Sequence, residues 1–237
     1  SIWRAGATPV FVDICPDTFN LDTDQIEDAI TEQTRAILPV HLFGQTADMD
    51  PVLTLAKKYE LDVIEDACQA IGATYHRRRA GAMGTVGCFS FFPSKNLGGL
   101  GDGGMIVAQD EGLATRLKAF RQHGETGRCH HEWVGGNFRL DTLQAAGLLV
   151  KLKHLDTWSE GRRQNAAAYG QLLADCAAVQ PPVVRDDHVS VFNQYVIRVA
   201  QRDALRAHLT EKGIGTSIYY PVSLHEQRCF ASLGYRR

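Results

Sequence analysis

The sequence has no excess of charge of either sign: 25 Lys and Arg stand against 27 Asp and Glu in 237 residues, a formal net charge of −2. A chain so balanced has no general attraction for nucleic-acid backbones or anionic membranes. Its one concentrated basic run, His76-Arg77-Arg78-Arg79, has no interleaved aromatic platform beyond Tyr75, so a charged turn between strands is expected there rather than a phosphate clamp. Long apolar runs are missing too. The longest uncharged stretch, residues 80–94, has 15 residues broken by three glycines and a proline, short of the roughly 20 that cross a bilayer. Six cysteines are scattered without a C-x-x-C, which excludes the usual zinc spacings and a small disulfide framework. Cys129-His130-His131 has no second ligand pair at metal spacing, so no metal is expected. The first residues lack the basic-then-apolar order of a signal peptide, and reduced thiols in the cytoplasm are the expectation. G-x-x-x-x-G-K-[ST], H-E-x-x-H and G-x-S-x-G are all absent, which removes sequence support for P-loop, zincin and α/β-hydrolase chemistry.

What is present reads as a globular α/β chain. With 44% hydrophobic residues and 22% charged, disorder is excluded, and the length suits one large domain with a smaller one. From residue 9 to 107, short apolar runs alternate with amphipathic ones, the pattern of βα units around a mostly parallel sheet. Strands are predicted over 9–12, 36–40, 63–66, 86–92 and 105–107. Helices are predicted from 22–24 through Ile30, from Asp48 or Asp50 to Tyr59, and over 111–121. Apolar residues from Leu140 through Leu148 to Trp158 keep helical spacing, which predicts a long helix running on, or kinking, to Leu173. Pro181-Pro182 marks a change of composition, after which strand, helix and strand (195–199, 202–212, 215–220) suggest a smaller α+β unit. The expected division is 1–180 and 181–237.

Gly99-Leu100-Gly101-Asp102-Gly103-Gly104 fits G-x-G-x-x-G literally. A dinucleotide-binding turn, however, follows a strand and opens a helix, whereas this one follows a polar loop and leads into a strand. Its glycines instead allow a tight turn or the close approach of backbone to a bound group. The informative region is 63–104: an acid at the end of an apolar strand (Asp66), an amide three residues on (Gln69), a hydroxyl within a strand (Ser90) and a lysine outside any amphipathic helix (Lys95). A lysine in an apolar, glycine-walled pocket can lose its proton and attack a carbonyl. Taken alone, such a lysine is more often plain surface charge.

Together these residues resemble a known set. Glu65-Asp66-Ala67-Cys68-Gln69-Ala70, residues 88–98 around Ser94-Lys95-Asn96 and Gly101-Asp102-Gly103-Gly104 are similar to successive motifs of the DegT/StrS family of pyridoxal-phosphate-dependent sugar aminotransferases. Residues 39–45 with Asp48-Met49-Asp50, residues 136–141 with Gln144-Ala145-Ala146, and Tyr219-Tyr220-Pro221 with His225 extend the likeness from Gly6 to Tyr235. The resemblance implies fold type I: a large domain with a mostly parallel, mixed sheet and a smaller C-terminal α+β domain. It implies that Lys95 bonds covalently to pyridoxal 5'-phosphate, that Asp66 pairs with its ring nitrogen, that Gln69 neighbours its ring hydroxyl and that Ser90 binds its phosphate. Asn137 would serve the neighbouring subunit's cofactor, in a homodimer with shared sites. Arg139, Tyr220 and His225 are candidates on the substrate side, His225 with a plain surface histidine as its rival. The implied reaction moves an amino group, with glutamate as donor, to a keto group of a nucleotide-linked sugar. A sugar dehydratase of the same fold carries His where Lys95 stands, and a non-catalytic regulator is the other alternative. The family has further sequence before Gly6 and after Tyr235, so the chain is expected to be truncated at both ends.

Overall fold

A computed structural model of the chain describes residues 1–235. Its elements in chain order are β1 (Ala36–Ile37), α1 (Met49–Lys58), β2 (Asp62–Asp66), β3 (Thr74–Tyr75), β4 (Arg78–Arg79), β5 (Val86–Ser90), β6 (Gly104–Ala108), α2 (Glu111–Arg121), β7 (Glu125–Gly127) and β8 (His130–His131), followed by α3 (Thr142–Leu152), α4 (Leu155–Leu173), β9 (Val179–Gln180), β10 (His188–Val189), β11 (Arg198–Val199) and α5 (Arg202–Glu211). The main sheet runs β1-β2-β5-β6. Its first three strands are parallel and β6 is antiparallel, with Asp66 beside Cys88 and Ser90 beside Gly104. The carboxyl ends of β1, β2 and β5 therefore share one edge, where open α/β sheets form their sites.

Local chemistry accounts for the helices flanking the sheet. Asp50 and Pro51 occupy the first turn of α1 and Lys57 and Lys58 the last, matching the helix dipole at both ends, while Met49, Val52 and Ala56 face the core. Helix α2 is capped by Asp110, whose carboxylate accepts the Leu113 N–H at 2.6 Å. Under the site, Phe91, Leu97, Leu148 and Leu155 form a buried cluster that ties α3 and α4 to the turn after β5.

Three predicted elements came out differently. Residues 9–12 form no ladder; Phe11 N–H instead donates to the Tyr235 hydroxyl at 2.9 Å. The predicted helix from 22–24 to Ile30 is two single 3-10 turns, Thr23–Gln25 and Glu27–Ala29, since burying Ile26 decides the path of a segment too short to nucleate an α-helix on its own. The long helix takes the kinked form of its expectation, turning between α3 and α4 at Lys153-His154, where the His154 ring stacks on Trp158 at 5.8 Å, and ending at Leu173. Residues 215–220 form no strand. The stretch after Pro182 first returns to the sheet-bearing body: β10 pairs with β3, and Val191 N–H donates to the Gly44 carbonyl at 2.9 Å. The last two residues of the predicted second unit, 236 and 237, lie outside the described residues.

Strand β5 passes so close to residue 81 that a Cβ on Gly87 would lie 2.0 Å from the Gly81 carbonyl oxygen, backbone against backbone. Gly87→Ala is therefore expected to cost about 3 kcal/mol in urea unfolding. Gly147→Ala, at a helical position with nothing within 4 Å of the new methyl, should be neutral or stabilising by up to about 1 kcal/mol.

Candidate functional site

Side chains alternate across a strand, so neighbouring acids at the end of β2 face opposite ways. Val63 and Glu65 are buried, whereas Asp66 is half-buried at the carboxyl edge. Glu65 is fully buried, yet its two oxygens accept four donors: His41 Nε2 at 2.8 Å, and the backbone N–H groups of Gly81, Met83 and Gly84 at 2.6–2.7 Å. Burial pushes its pKa up, but the bonds from His41, Gly84 and Gly81 outweigh that and hold the carboxyl below the ordinary glutamate value. His41, equally buried, accepts the Ala47 N–H on Nδ1 at 3.1 Å. That nitrogen carries no proton, so Nε2 is the one that donates to Glu65. Sequence reading passed over both residues as parts of motifs.

Around Asp66 the structure brings several candidates together. Its Oδ1 accepts the Cys68 N–H at 3.1 Å. Burial, then the Asp66 carboxylate, push the Cys68 thiol up to about 12, while the charge of Lys95 acts in the opposite direction. The thiol therefore stays protonated at neutral pH. Lys95 is half-buried and closes a turn through its N–H to the Phe92 carbonyl at 2.9 Å. That turn is held from both sides. The Asn96 amide donates to the Val191 carbonyl at 3.0 Å, Lys151 Nζ donates to the Gly98 carbonyl, and a Cβ at Gly98 would strike the Pro93 carbonyl oxygen at 2.3 Å. Ser90 ends β5 with its Oγ accepting the Phe92 N–H at 3.2 Å. The Gln69 Oε1 accepts the Phe43 N–H at 2.7 Å, and its Nε2 donates to the Tyr220 hydroxyl at 3.2 Å. Two residues 151 positions apart thus meet at the same edge.

The remaining candidates lie elsewhere. Asn137 and Arg139 are exposed on the segment leading into α3, where Asn137 forms a backbone bridge with Gln122. His225 packs its ring against Phe11 and Tyr235, at 6.2 and 5.9 Å. The glycine run serves as backbone: Gly103 accepts the Phe91 N–H, Leu100 N–H meets Gln144 Oε1, and Gly104 opens β6. Among the described residues, no cluster of three or more His, Cys, Asp or Glu could hold a metal, and no helix is long and apolar enough to cross a membrane.

Comparison with known proteins gives this geometry its context. The model of the DegT/DnrJ/EryC1/StrS aminotransferase family matches residues 1–237. The chain belongs to that family. It is 52% identical over 238 residues to a pleiotropic regulatory protein of Geobacillus stearothermophilus, covering 100% of this chain and 64% of that one. It is 45% identical to a UDP-N-acetyl-3-dehydro-alpha-D-glucosamine 3-aminotransferase of Acidithiobacillus ferrooxidans, covering 98% of this chain and 62% of the relative. The crystal structure of S. venezuelae DesV, solved with a ketimine intermediate, superposes with a TM-score of 0.95 at 45% identity, over 97% of this chain and 62% of that one. The Bacillus subtilis ntda structure with bound cofactor PMP superposes at 0.88 and 36% identity, over 96% of this chain and 53% of that one. The chain thus spans less than two thirds of the length of each of these relatives. The fold is that of the type I pyridoxal-phosphate-dependent transferases, in which a mixed sheet carries helices around it.

Because the Glu65 carboxyl is held below its ordinary value of about 4.5, its ionised form contributes stability fully above that value and loses it as pH falls through the lowered one. Glu65→Gln should cost about 3 kcal/mol at neutral pH, because its amide N–H must face a backbone N–H. It should also flatten the acid limb of the stability profile, measured by denaturant unfolding from pH 7 down to about pH 2.

Proposed function

We propose that the chain carries the pyridoxal-phosphate centre of an aminotransferase that moves an amino group from glutamate to a keto group of a nucleotide-linked sugar. The observation that carries this reading is the carboxyl edge of β2, where Asp66 accepts the Cys68 N–H and the amide end of Gln69 meets the Tyr220 hydroxyl, with Lys95 half-buried in the turn that follows β5. Acid, amine, amide donor and hydroxyl form a donor set that suits pyridoxal phosphate. Bound there, the cofactor would supply an electron sink for loss of the donor's α-proton. Asp66 would keep a proton on the ring nitrogen. Lys95 Nζ would take the α-proton and return it one atom away, as base and then acid. Ser90 Oγ, with one lone pair occupied by the Phe92 N–H, keeps its own hydrogen free for the phosphate.

The names of the relatives support the sugar-nucleotide substrate, and the retained Lys95 supports amino transfer over dehydration. The exposed apolar side chains of α3, with Leu143 at 83% and Val150 at 62%, support a homodimer in which Asn137 serves the neighbouring site. Tyr220, through its bond to Gln69, and Arg139 and His225 would lie on the substrate side. The division into 1–180 and 181–237 belongs to the same proposal, with residues 188–194 crossing back onto the larger unit. So does a cytoplasmic location, which the six free cysteines support. A regulator without catalysis is the rival that the name of the 52% relative keeps in play.

Borohydride reduction of the chain after incubation with pyridoxal phosphate should leave label on Lys95, and Lys95→Ala should abolish it; label on another lysine would refute the assignment. Asp66→Ala should lower turnover by about 100-fold or more while the label persists. A chain that takes the label yet never transaminates would be the regulator. Mixing Lys95→Ala with Asn137→Ala subunits should recover activity above both parents if sites are shared, and none if each site is built within one subunit.

A further inference from the structure

His41 and Glu65 lie on the face of the sheet opposite Asp66, yet their bonds lead to the site. The His41 ring closes residues 41–47 into a loop by accepting the Ala47 N–H, while its own backbone N–H donates to the Asp66 carbonyl at 3.0 Å. Glu65 holds the other ring nitrogen. Within that loop Phe43 takes a positive φ of 58° and Gly44 one of 110°. Gly44 is hemmed in as well: a Cβ there would lie 2.7 Å from the Phe192 nitrogen and 2.8 Å from that of Asn193. Arg162 holds both of those residues through their carbonyls, at 2.9 and 3.2 Å. So fixed, the loop aims the Phe43 N–H at Gln69 Oε1. A backbone N–H can only donate, so it must meet the oxygen of the Gln69 amide, and the nitrogen end is left facing the site. A glutamine free to rotate would present either end, and its oxygen would repel an anionic ring oxygen.

We propose that His41 and Glu65 are positioning residues that, through the Phe43 N–H, fix the Gln69 amide with its nitrogen toward the cofactor. The inference rests on the reading above that Gln69 neighbours the cofactor's ring hydroxyl. It assigns the buried pair a part in setting the ionisation of that hydroxyl, beyond holding the loop.

The test uses the full chain with added pyridoxal phosphate, reading the ratio of its two long-wavelength absorbance bands at one pH. That ratio reports the protonation of the ring oxygen. Gln69→Leu should shift it about tenfold, the factor for one lost hydrogen bond to an anion. His41→Gln keeps a donor for Glu65 but loses the acceptor for Ala47; it should shift the ratio in the same direction, and the double variant should shift it no further than Gln69→Leu alone. A wild-type ratio in His41→Gln, or additive shifts in the double variant, would overturn the inference while leaving the cofactor reading intact. No shift in Gln69→Leu would overturn the placement of Gln69 at the ring and the inference with it. Should His41→Gln fail to fold, hydrogen exchange decides. Gln69→Leu should speed exchange of the Phe43 amide by about tenfold, the loss of one hydrogen bond, and leave the Leu42 amide, held by Asn20 Oδ1 at 2.8 Å, unchanged. Equal Phe43 exchange in the two proteins would refute the link.

Discussion

A carboxylate without water is among the most expensive groups a fold can hold, and Glu65 has none. Its environment makes that tolerable by supplying a donor for each lone pair: one imidazole and three backbone N–H groups. The donors come from two separate parts of the framework. His41 brings the loop after β1, and Gly81, Met83 and Gly84 bring the turn before β5. The charge therefore fastens two connecting segments to β2 at one point, beneath the edge where Asp66 emerges. The tight contact of Gly81 with Gly87 follows from this, because the turn that reaches the carboxylate also lies against β5.

The pleat of a strand separates two kinds of acid by a single residue. Glu65 turns inward, where saturation by fixed donors keeps it ionised and unavailable for chemistry. Asp66 turns to the carboxyl edge, where it meets the Cys68 N–H. A register slip of one residue would exchange the two, leaving the site with the wrong acid and the core with an unpaired one. The pairing of Asp66 with Cys88 on one side and with Val40 on the other resists that slip.

Polar side chains at the site are oriented from behind by main chain. Gln69 is set by Phe43, Ser90 by Phe92, and the turn of Lys95 by Asn96 reaching Val191. Backbone donors and acceptors belong to elements whose positions are settled by packing, so they cost little further ordering when a ligand arrives. The exposed apolar side chains of α3, such as Leu143 and Val150, lie at the other extreme, held by nothing behind them but their own helix.

Composition, the absent motifs and the order of Asp66, Gln69, Ser90 and Lys95 were enough to point to the family, and hydrophobic spacing was enough to place α1, α2, β2, β5 and β6, because in each of these the local pattern agrees with the neighbours that the fold supplies. Residues 9–12 and 215–220 have the composition of strands, but a strand exists only where another edge is present to pair with it. The segment around Ile26 has helical spacing, but the burial of that one side chain set its course. The pairing of His41 with Glu65, 24 residues apart, was illegible for the same reason: it needs β1 and β2 laid parallel in one register, and no local pattern encodes the distance between two buried side chains. Residue types along the chain named the chemistry. How deeply each acid is buried, and which end of Gln69 meets the Phe43 N–H, were decided when the sheet formed, because burial and hydrogen-bond geometry are properties of the assembled fold.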